Sequence, residues 1–211
     1  MRKKYKVWLI IILVLIVLVS VVGVSKLVLK PKIKDKPKNV TSVISNIGDY
    51  GYSLDDRDTK YMKETFEELE QILNQEEIDY EEYAKVVAKL YIIDFYTLDN
   101  KINKYDVGSL EYILNDKVEL FKTKAMDTIY NDIIDNTYKD RIQELPEITN
   151  VEILDFEKTK ITLAEDTTEA YKITMEYTYK KDLGYDKEGT VYLVKNSNKI
   201  EVALYNPVIE E

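Results

Sequence analysis

The feature that most constrains this chain is an uncharged run of 18 residues from Val7 to Val24, made almost entirely of Val, Ile and Leu. As an α-helix it would be about 27 Å long, close to the thickness of the hydrocarbon core of a bilayer. The run is longer than the apolar part of a cleaved signal peptide, and Lys26 follows it after a single Ser. The sequence therefore predicts an uncleaved transmembrane anchor. A cleaved signal peptide, for which Gly23–Ser25 offers small residues, is the alternative.

The distribution of charge also divides the chain into an N-terminal segment and a larger body. The first 38 residues contain 10 Lys/Arg and one acidic residue, whereas the remaining 173 contain 20 Lys/Arg and 38 Asp/Glu, a net charge of −18. A body this acidic would repel a polyanion, which argues against a nucleic acid partner. We divide the chain into a basic cytoplasmic stub (1–6), a transmembrane helix (7–25), a basic stalk and linker (26–52) and an extracytoplasmic domain (53–211).

The orientation of the anchor does not follow from counting positive charges. Six lysines lie between Lys26 and Lys38, beyond the apolar run, against four Lys/Arg residues before it. However, a basic stub before an N-terminal apolar segment is typical of a signal anchor, and long domains are translocated largely regardless of charge. The lack of Cys also suits a bacterial extracytoplasmic location. We expect a single-pass protein of a bacterial cell membrane with its C-terminal domain outside the cytoplasm.

Two residue types are missing, since the sequence contains no His and no Cys. This excludes Ser-His and Cys-His nucleophilic pairs, imidazole and thiolate metal ligands, and disulfides. The six glycines form no phosphate-binding or nucleophile-elbow pattern. Asp, Glu, Tyr and Lys are left to carry any chemistry. The sequence predicts no cofactor and favours binding over catalysis.

Apolar residues at three- and four-residue steps predict three helices after the stalk. The capping-box spacing of Ser53–Asp56 and of Asp79–Glu82 indicates where the first two begin. The predicted ranges are 55–74, 79–96 and from 116 to just before Pro146, with a short helix or irregular crossing over 99–114.

Beyond Pro146 the apolar period changes to two, most clearly over 171–180, where Tyr, Ile and Met alternate with Lys, Thr and Glu. Consecutive strands with short turns form an antiparallel meander, one face of which can receive the helices. The expected strands are 151–163, 171–180, 189–195 and 200–205. The predicted fold class is α+β, with about three helices packed on a curved, cone-like, antiparallel four-stranded sheet.

This order of elements resembles the nuclear transport factor two-like fold, in the form carried outside the membrane by bitopic assembly proteins of type IV secretion and conjugation systems. The resemblance covers about residues 55–206 and lies in element order, with no diagnostic residue motif. The chain is also similar to anchored proteins of low-GC Gram-positive bacteria, to which the run Gly48–Asp58 could belong. The resemblance implies an assembly or interaction module, although enzymes also occur on this fold.

Asp94 is the first candidate for a functional residue, because it lies within the apolar run Leu-Tyr-Ile-Ile-Asp-Phe-Tyr of the second predicted helix. A carboxylate on that face is either desolvated or held by a partner. The functional interpretation is a general acid/base or ligand-binding group in the mouth of the cone, with Tyr91 and Tyr96 as neighbours. The structural interpretation, which we favour, is an Asp satisfied by a Tyr hydroxyl, a backbone N–H, Arg57 or Arg141.

Two carboxylate clusters are weaker candidates, for Ca²⁺, which prefers hard oxygen ligands. Helix capping and turn chemistry explain both clusters without a metal, and we favour that explanation. The clusters are Asp55, Asp56 and Asp58 at the start of the first helix, and Asp182, Asp186 and Glu188 around Gly184 in a hairpin turn.

Tyrosine is strongly over-represented, with 18 Tyr against one Trp. Tyr gives rigid, amphipathic contact area and could line a binding surface. The strand pattern places Tyr171, Tyr177 and Tyr179 on one face with Ile173 and Met175, as core or cavity residues. We favour core packing.

Together these patterns predict a non-enzymatic, membrane-anchored domain that binds another protein or self-associates. The rival interpretation is a ligand-binding protein or carboxylate-dependent enzyme that uses Asp94 in a cone-shaped pocket. A polar cavity centred on Asp94 would favour the rival, whereas a filled interior with an exposed apolar patch would favour the interaction module.

Overall fold

The computed structural model describes residues 38–207. The predicted stub, the predicted anchor and residues 26–37 of the predicted stalk and linker lie outside these residues. Within the described range, no helix is long and apolar enough to cross a membrane. In chain order the elements are β1 (Val43–Ile47), β2 (Tyr52–Asp55), α1 (Lys60–Leu73), α2 (Tyr80–Tyr96), two 3₁₀ turns (Leu110–Tyr112 and Asn115–Lys117), α3 (Val118–Asp127), β3 (Ile148–Leu163), β4 (Asp166–Tyr179), β5 (Glu188–Asn196) and β6 (Lys199–Pro207).

The four C-terminal strands form one antiparallel sheet in the order β3-β4-β5-β6, so each strand pairs with the next. This confirms the predicted α+β class, with three helices and a four-stranded antiparallel meander. On β4, the side chains of Ile173, Met175 and Tyr177 are buried and alternate with more exposed polar residues. β3 and β6 are the edges of this sheet.

α2 is the centre of the core, because it is buried along nearly its whole length and contacts α1 and all four strands of the sheet. A helix that is apolar on almost every side is stable only when surrounded in this way. Its N-terminus is capped by Asp79, whose Oδ1 accepts the backbone N–H groups of Glu81 at 2.9 Å and Glu82 at 3.2 Å. The predicted start of this helix is confirmed.

α1 begins later than the sequence predicts. The first residue of the predicted helix, Asp55, is the last of β2, which pairs with β1 in a hairpin, and residues 56–59 form the turn that follows. The cap of α1 is Thr59, whose Oγ1 accepts the N–H of Met62 at 3.1 Å. Tyr52 and Leu54 are buried, so their two-residue alternation determines the local structure and overrides the weak capping signal at Ser53.

α3 is shorter than predicted and ends at Asp127. Thr128 leaves the helix with φ −123° and ψ −104°. The later apolar positions Tyr130 and Ile133 are still buried, but turns carry them into the core. The hydroxyl of Tyr130 then reaches the backbone of α2, donating to the carbonyl oxygen of Phe95 at 2.8 Å.

Candidate functional site

A small cavity lies where the β2–α1 turn, the second half of α2 and the segment 100–111 meet. Its volume is about 240 Å³. The structure thus brings Asp94, the first candidate, together with Asp55 and Asp58 of the first carboxylate cluster. The charged residues of the lining are five carboxylates and two cations, namely Asp55, Asp58, Asp94, Asp106 and Glu111 with Arg57 and Lys101.

The Asp94 carboxylate is engaged on both oxygens. The Lys101 ammonium donates to Oδ1, and the backbone N–H of Ser109 donates to Oδ2. Lys101 is only 6% exposed, and burial alone would lower its pKa. The attraction of Asp94 and their hydrogen bond outweigh burial, so the net pKa of Lys101 is raised. The backbone N–H is one of the expected partners, whereas the cation is Lys101 and not Arg57 or Arg141.

The segment 108–109 lies very close to α2. A Cβ on Gly108 would lie 2.5 Å from the backbone oxygen of Asp94 and 2.7 Å from its Oδ1, so the approach requires glycine. The Ser109 hydroxyl donates to the carbonyl oxygen of Tyr91 at 2.7 Å, and the Gly108 N–H donates to the Tyr130 hydroxyl at 3.1 Å. These bonds attach the segment to α2 beside the Asp94–Lys101 pair.

Two other carboxylates of the cavity are partly desolvated. Burial raises the pKa of Asp58 to about 6 and that of Glu111 to about 7. Asp58 accepts the N–H of Asp55 at 2.7 Å, and Glu111 accepts the N–H and hydroxyl of Ser53 at 3.0 and 2.8 Å. These bonds favour the charged forms, but burial opposes them more strongly. Asn100 also lines the cavity, and within residues 38–207 its buried Oδ1 accepts no hydrogen bond.

Two further carboxylates of the clusters, Asp56 and Asp182, have local partners. Asp56 accepts the N–H and hydroxyl of Ser42 at 3.1 and 3.0 Å, and these bonds lower its pKa. Asp182 accepts the N–H of Gly184 at 3.0 Å and the Lys187 ammonium at 2.6 Å. In the described part of the chain, no three carboxylates are grouped so that they could hold a metal ion.

Three of the candidate tyrosines form a separate cluster that includes Tyr205. The Tyr205 hydroxyl lies 2.7 Å from that of Tyr96 and 2.8 Å from that of Tyr177. The Tyr96 hydroxyl also donates to Oδ2 of Asp186 at 3.2 Å, and the Tyr179 hydroxyl donates to the carbonyl oxygen of Asp186 at 2.6 Å. Burial raises the pKa of all four hydroxyls, which therefore stay neutral at ordinary pH.

The other two candidate tyrosines belong to neither group. Tyr91 is fully buried, and its hydroxyl has no hydrogen-bond partner among the described residues. Its ring stacks on that of Phe95, with the ring centres 5.9 Å apart. Tyr171 stacks on Phe156 with a centre-to-centre distance of 5.8 Å. Neither Tyr91 nor Tyr96, the two tyrosines expected beside Asp94, is among the residues that line the cavity.

A second depression, of about 250 Å³, lies between α3 and β6. We call it the α3–β6 groove. Two of its apolar side chains are well exposed, Leu120 at 60% and Leu204 at 42%. The residues lining it are Tyr91, Ile113, Lys117, Leu120, Phe121, Lys124, Val202, Ala203, Leu204 and Tyr205.

Sequence reasoning missed Lys101, Ser109 and Glu111, because they lie in the segment 99–114, which has no helical or strand period. Their distance from Asp94 along the chain gives no signal of contact. Gly108 was a usable signal, since a glycine between two apolar segments can mark a close backbone approach.

Comparison of the chain with protein-family models, curated proteins and solved structures finds no significant match.

Removing one partner of the Asp94–Lys101 pair should be costly, because it leaves the other partially buried and unpaired. We expect Asp94→Asn to lower the free energy of unfolding by about 3 kcal/mol. Urea unfolding of the full chain in detergent, followed by circular dichroism, measures the change. The double variant Asp94→Asn/Lys101→Met should recover part of the loss. Equal stability of Asp94→Asn and wild type would contradict a stabilising role for the pair.

The raised pKa values predict a pH dependence of stability. Asp58 and Glu111 titrate near pH 4 in an unfolded chain, but their pKa values in the folded protein are about 6 and about 7. Between these limits the folded state binds more protons than the unfolded state. These two groups therefore make the free energy of unfolding fall as pH rises from about 4 to about 8. Urea unfolding across this range measures the slope.

Glu111→Gln cannot titrate at this position and should make the fall with pH smaller. Glu67→Gln, at an exposed position on α1, is the matched control and should leave the slope unchanged. An unchanged slope in Glu111→Gln would show that Glu111 does not titrate in this range.

Proposed function

We propose that this protein is a single-pass, membrane-anchored module of a bacterial cell whose extracytoplasmic domain binds another protein or a second copy of itself, without catalysis of its own. The proposed anchor is the apolar segment 7–25, and the proposed orientation rests on the basic stub before it. The acidic body beyond residue 38 would be repelled by anionic headgroups, so the stalk would hold it away from the membrane.

The observation that carries this proposal is the α3–β6 groove. It is apolar, open to solvent, and bounded by Leu120 and Leu204, two large side chains that folding leaves exposed. Contiguous exposed apolar surface is a common mark of protein–protein contact, because its burial in a complex removes it from water. Other large apolar side chains, such as Ile142 and Leu154, are also exposed, but this groove brings Leu120 and Leu204 together in one depression.

The interior gives further support, because its polar groups are mostly used within the fold. Asp94 is paired with Lys101, and the hydroxyls of Tyr96, Tyr177 and Tyr205 bond to one another. Because these groups are already hydrogen-bonded within the fold, they favour an interaction module over an enzyme, whereas the polar cavity beside Asp94 supports the second candidate function given below. The nuclear transport factor two-like relationship, including its cone shape, is part of this proposal. Its support is the order of elements, three helices followed by an antiparallel meander.

Site-specific crosslinking in the native membrane tests the proposal. A photo-crosslinking amino acid in place of Leu120 should give a protein adduct of defined mass, because this position faces the groove. The matched control is Leu154 on β3, which is also large, apolar and exposed, at 51%, and should give no such adduct. The mass distinguishes a partner protein from a second copy.

Failure to form any protein adduct at Leu120 would contradict the proposal. The same cells, treated with protease before lysis, test the location. The domain should be degraded if it lies outside the membrane, and its full protection would refute the extracytoplasmic assignment.

The second candidate function is binding of a small cationic ligand in the cavity beside Asp94. The observation that favours it is that partly desolvated carboxylates and the unpartnered Oδ1 of Asn100 surround a cavity of about 240 Å³. A bound cation would relieve the desolvated charge of Asp58 and Glu111. Because both oxygens of Asp94 already accept hydrogen bonds, this second candidate favours ligand binding over catalysis by Asp94.

Ligand-dependent melting of the full chain tests this candidate. Agmatine or butylamine should raise the melting temperature in a saturable way, since a ligand that binds only the folded state stabilises it. Tetramethylammonium, which cannot donate hydrogen bonds, controls for ionic strength. An equal shift with tetramethylammonium, or an undiminished shift in Glu111→Gln, would contradict the site.

A further inference from the structure

We propose that the α3–β6 groove accepts an extended segment of a partner protein, which adds as a strand to the free edge of β6 and carries acidic side chains that pair with Lys117 and Lys124. This inference rests on the proposed function and specifies its partner. Three features of the groove support it: the backbone edge, the apolar lining and the two cations.

Only part of the outer backbone edge of β6 is hydrogen-bonded. β6 is the last strand of its sheet, so within residues 38–207 one side of it has no strand partner. Val202 uses this side, since it bridges in parallel to Ile113 and its carbonyl oxygen accepts the N–H of Leu114 at 3.1 Å. From residue 203 to 207, the described chain supplies no further backbone hydrogen bond on this side. An extended peptide can continue the pairing there.

The lining beside this edge suits alternate apolar side chains. Leu120 and Phe121 lie on the α3 side, and Ala203 and Leu204 lie on β6. Tyr91 also lines the groove and is fully buried. In an added strand every second side chain would point the same way, so one face of the peptide could cover these residues.

The two lysines of the groove favour a partner segment that carries negative charge. Lys117 and Lys124 both line the groove, and neither forms an ion pair within the described residues. They are separated by about two helical turns, roughly 10 Å along α3. In an extended chain this distance corresponds to about three residues. Two acidic residues four positions apart, which lie on the same face of a strand, would therefore reach both lysines.

The opposite edge of the sheet has features that oppose strand addition. β3 has two register shifts, between Ile148 and Asn150 and between Ile153 and Asp155. Its outer part also carries charges of both signs within the run from Glu152 to Lys160. Bulges and edge charges are common means of blocking edge-to-edge association. β6 also has one register shift, opposite Tyr192 and Leu193, but its residues 203–206 carry no charge. This uncharged border favours β6 as the binding edge.

Two synthetic peptides of ten residues test the inference on the full chain in phosphatidylcholine nanodiscs. They share the same Val and Ile residues, but one carries two Glu and the other two Lys at the same positions. Because an exposed ion pair changes affinity by up to about fivefold, two pairs should give the Glu peptide a preference of about tenfold, and at most about 25-fold, in fluorescence anisotropy. Amide hydrogen exchange should slow between residues 203 and 206 when it binds.

Charge reversal is the decisive variant. Lys117→Glu/Lys124→Glu should reverse the peptide preference, whereas Lys122→Glu, on the same helix but outside the groove lining, should retain it within about twofold. Circular dichroism of each variant checks folding. An unchanged preference in the double variant, or protection of amides elsewhere on the sheet, would overturn the inference.

Different results would contradict the proposed function and the acidic-strand inference. An adduct at Leu120 in cells without binding of the Glu peptide would overturn the acidic-strand inference and leave the interaction module intact. Peptide binding without an adduct in cells would count against the proposed function. If sedimentation shows a dimer that Leu120→Asp dissociates, and the peptide does not compete with it, a second copy occupies the groove and the inference is wrong.

Discussion

The ion pair between Asp94 and Lys101 is the contact on which much of the remaining architecture depends. Together with the bond from Ser109, it holds the irregular segment after α2 against that helix. The same segment continues directly into Ile113, which bridges to β6, and then into α3. The shapes of the cavity and of the groove therefore both depend on the attachment of this segment to α2. A change that releases the segment would alter both, although different residues line them.

Tyrosine provides a second constraint, because most of the buried Tyr hydroxyls among the described residues are hydrogen-bonded to another element, Tyr91 and Tyr112 being exceptions. The Tyr52 hydroxyl lies 2.7 Å from that of Tyr83 and donates to the carbonyl oxygen of Ile200 at 2.9 Å. This links the hairpin to α2 through two side chains and to β6 through a backbone carbonyl. Tyr96 and Tyr205 make a comparable link between α2 and β6. Such hydrogen bonds restrict how elements can pack more than apolar contacts do, since an unmade bond leaves a desolvated hydroxyl.

The periodic parts of the sequence predicted their structure well, because helical and strand periods report which face is buried. The start of α2 at Asp79 and the meander of four strands follow from local residues alone. The early end of α3 does not, because it depends on the contact of Tyr130 with α2. The candidate site was harder to predict from the sequence than the helices and strands. Asp94 could be singled out as a polar residue in an apolar run, but its partner Lys101 comes from a segment without a period.

Charge gives the groove a selectivity that its shape alone would lack. The body from residue 39 to 211 carries a net charge of −18, so an acidic partner is repelled at long range. At physiological ionic strength this repulsion is screened beyond about 8 Å, whereas contacts with Lys117 and Lys124 act at shorter distances. An acidic segment without apolar residues would gain too little binding free energy at the groove to remain bound. A partner therefore needs both features, and salt should speed its association while weakening the final ion pairs.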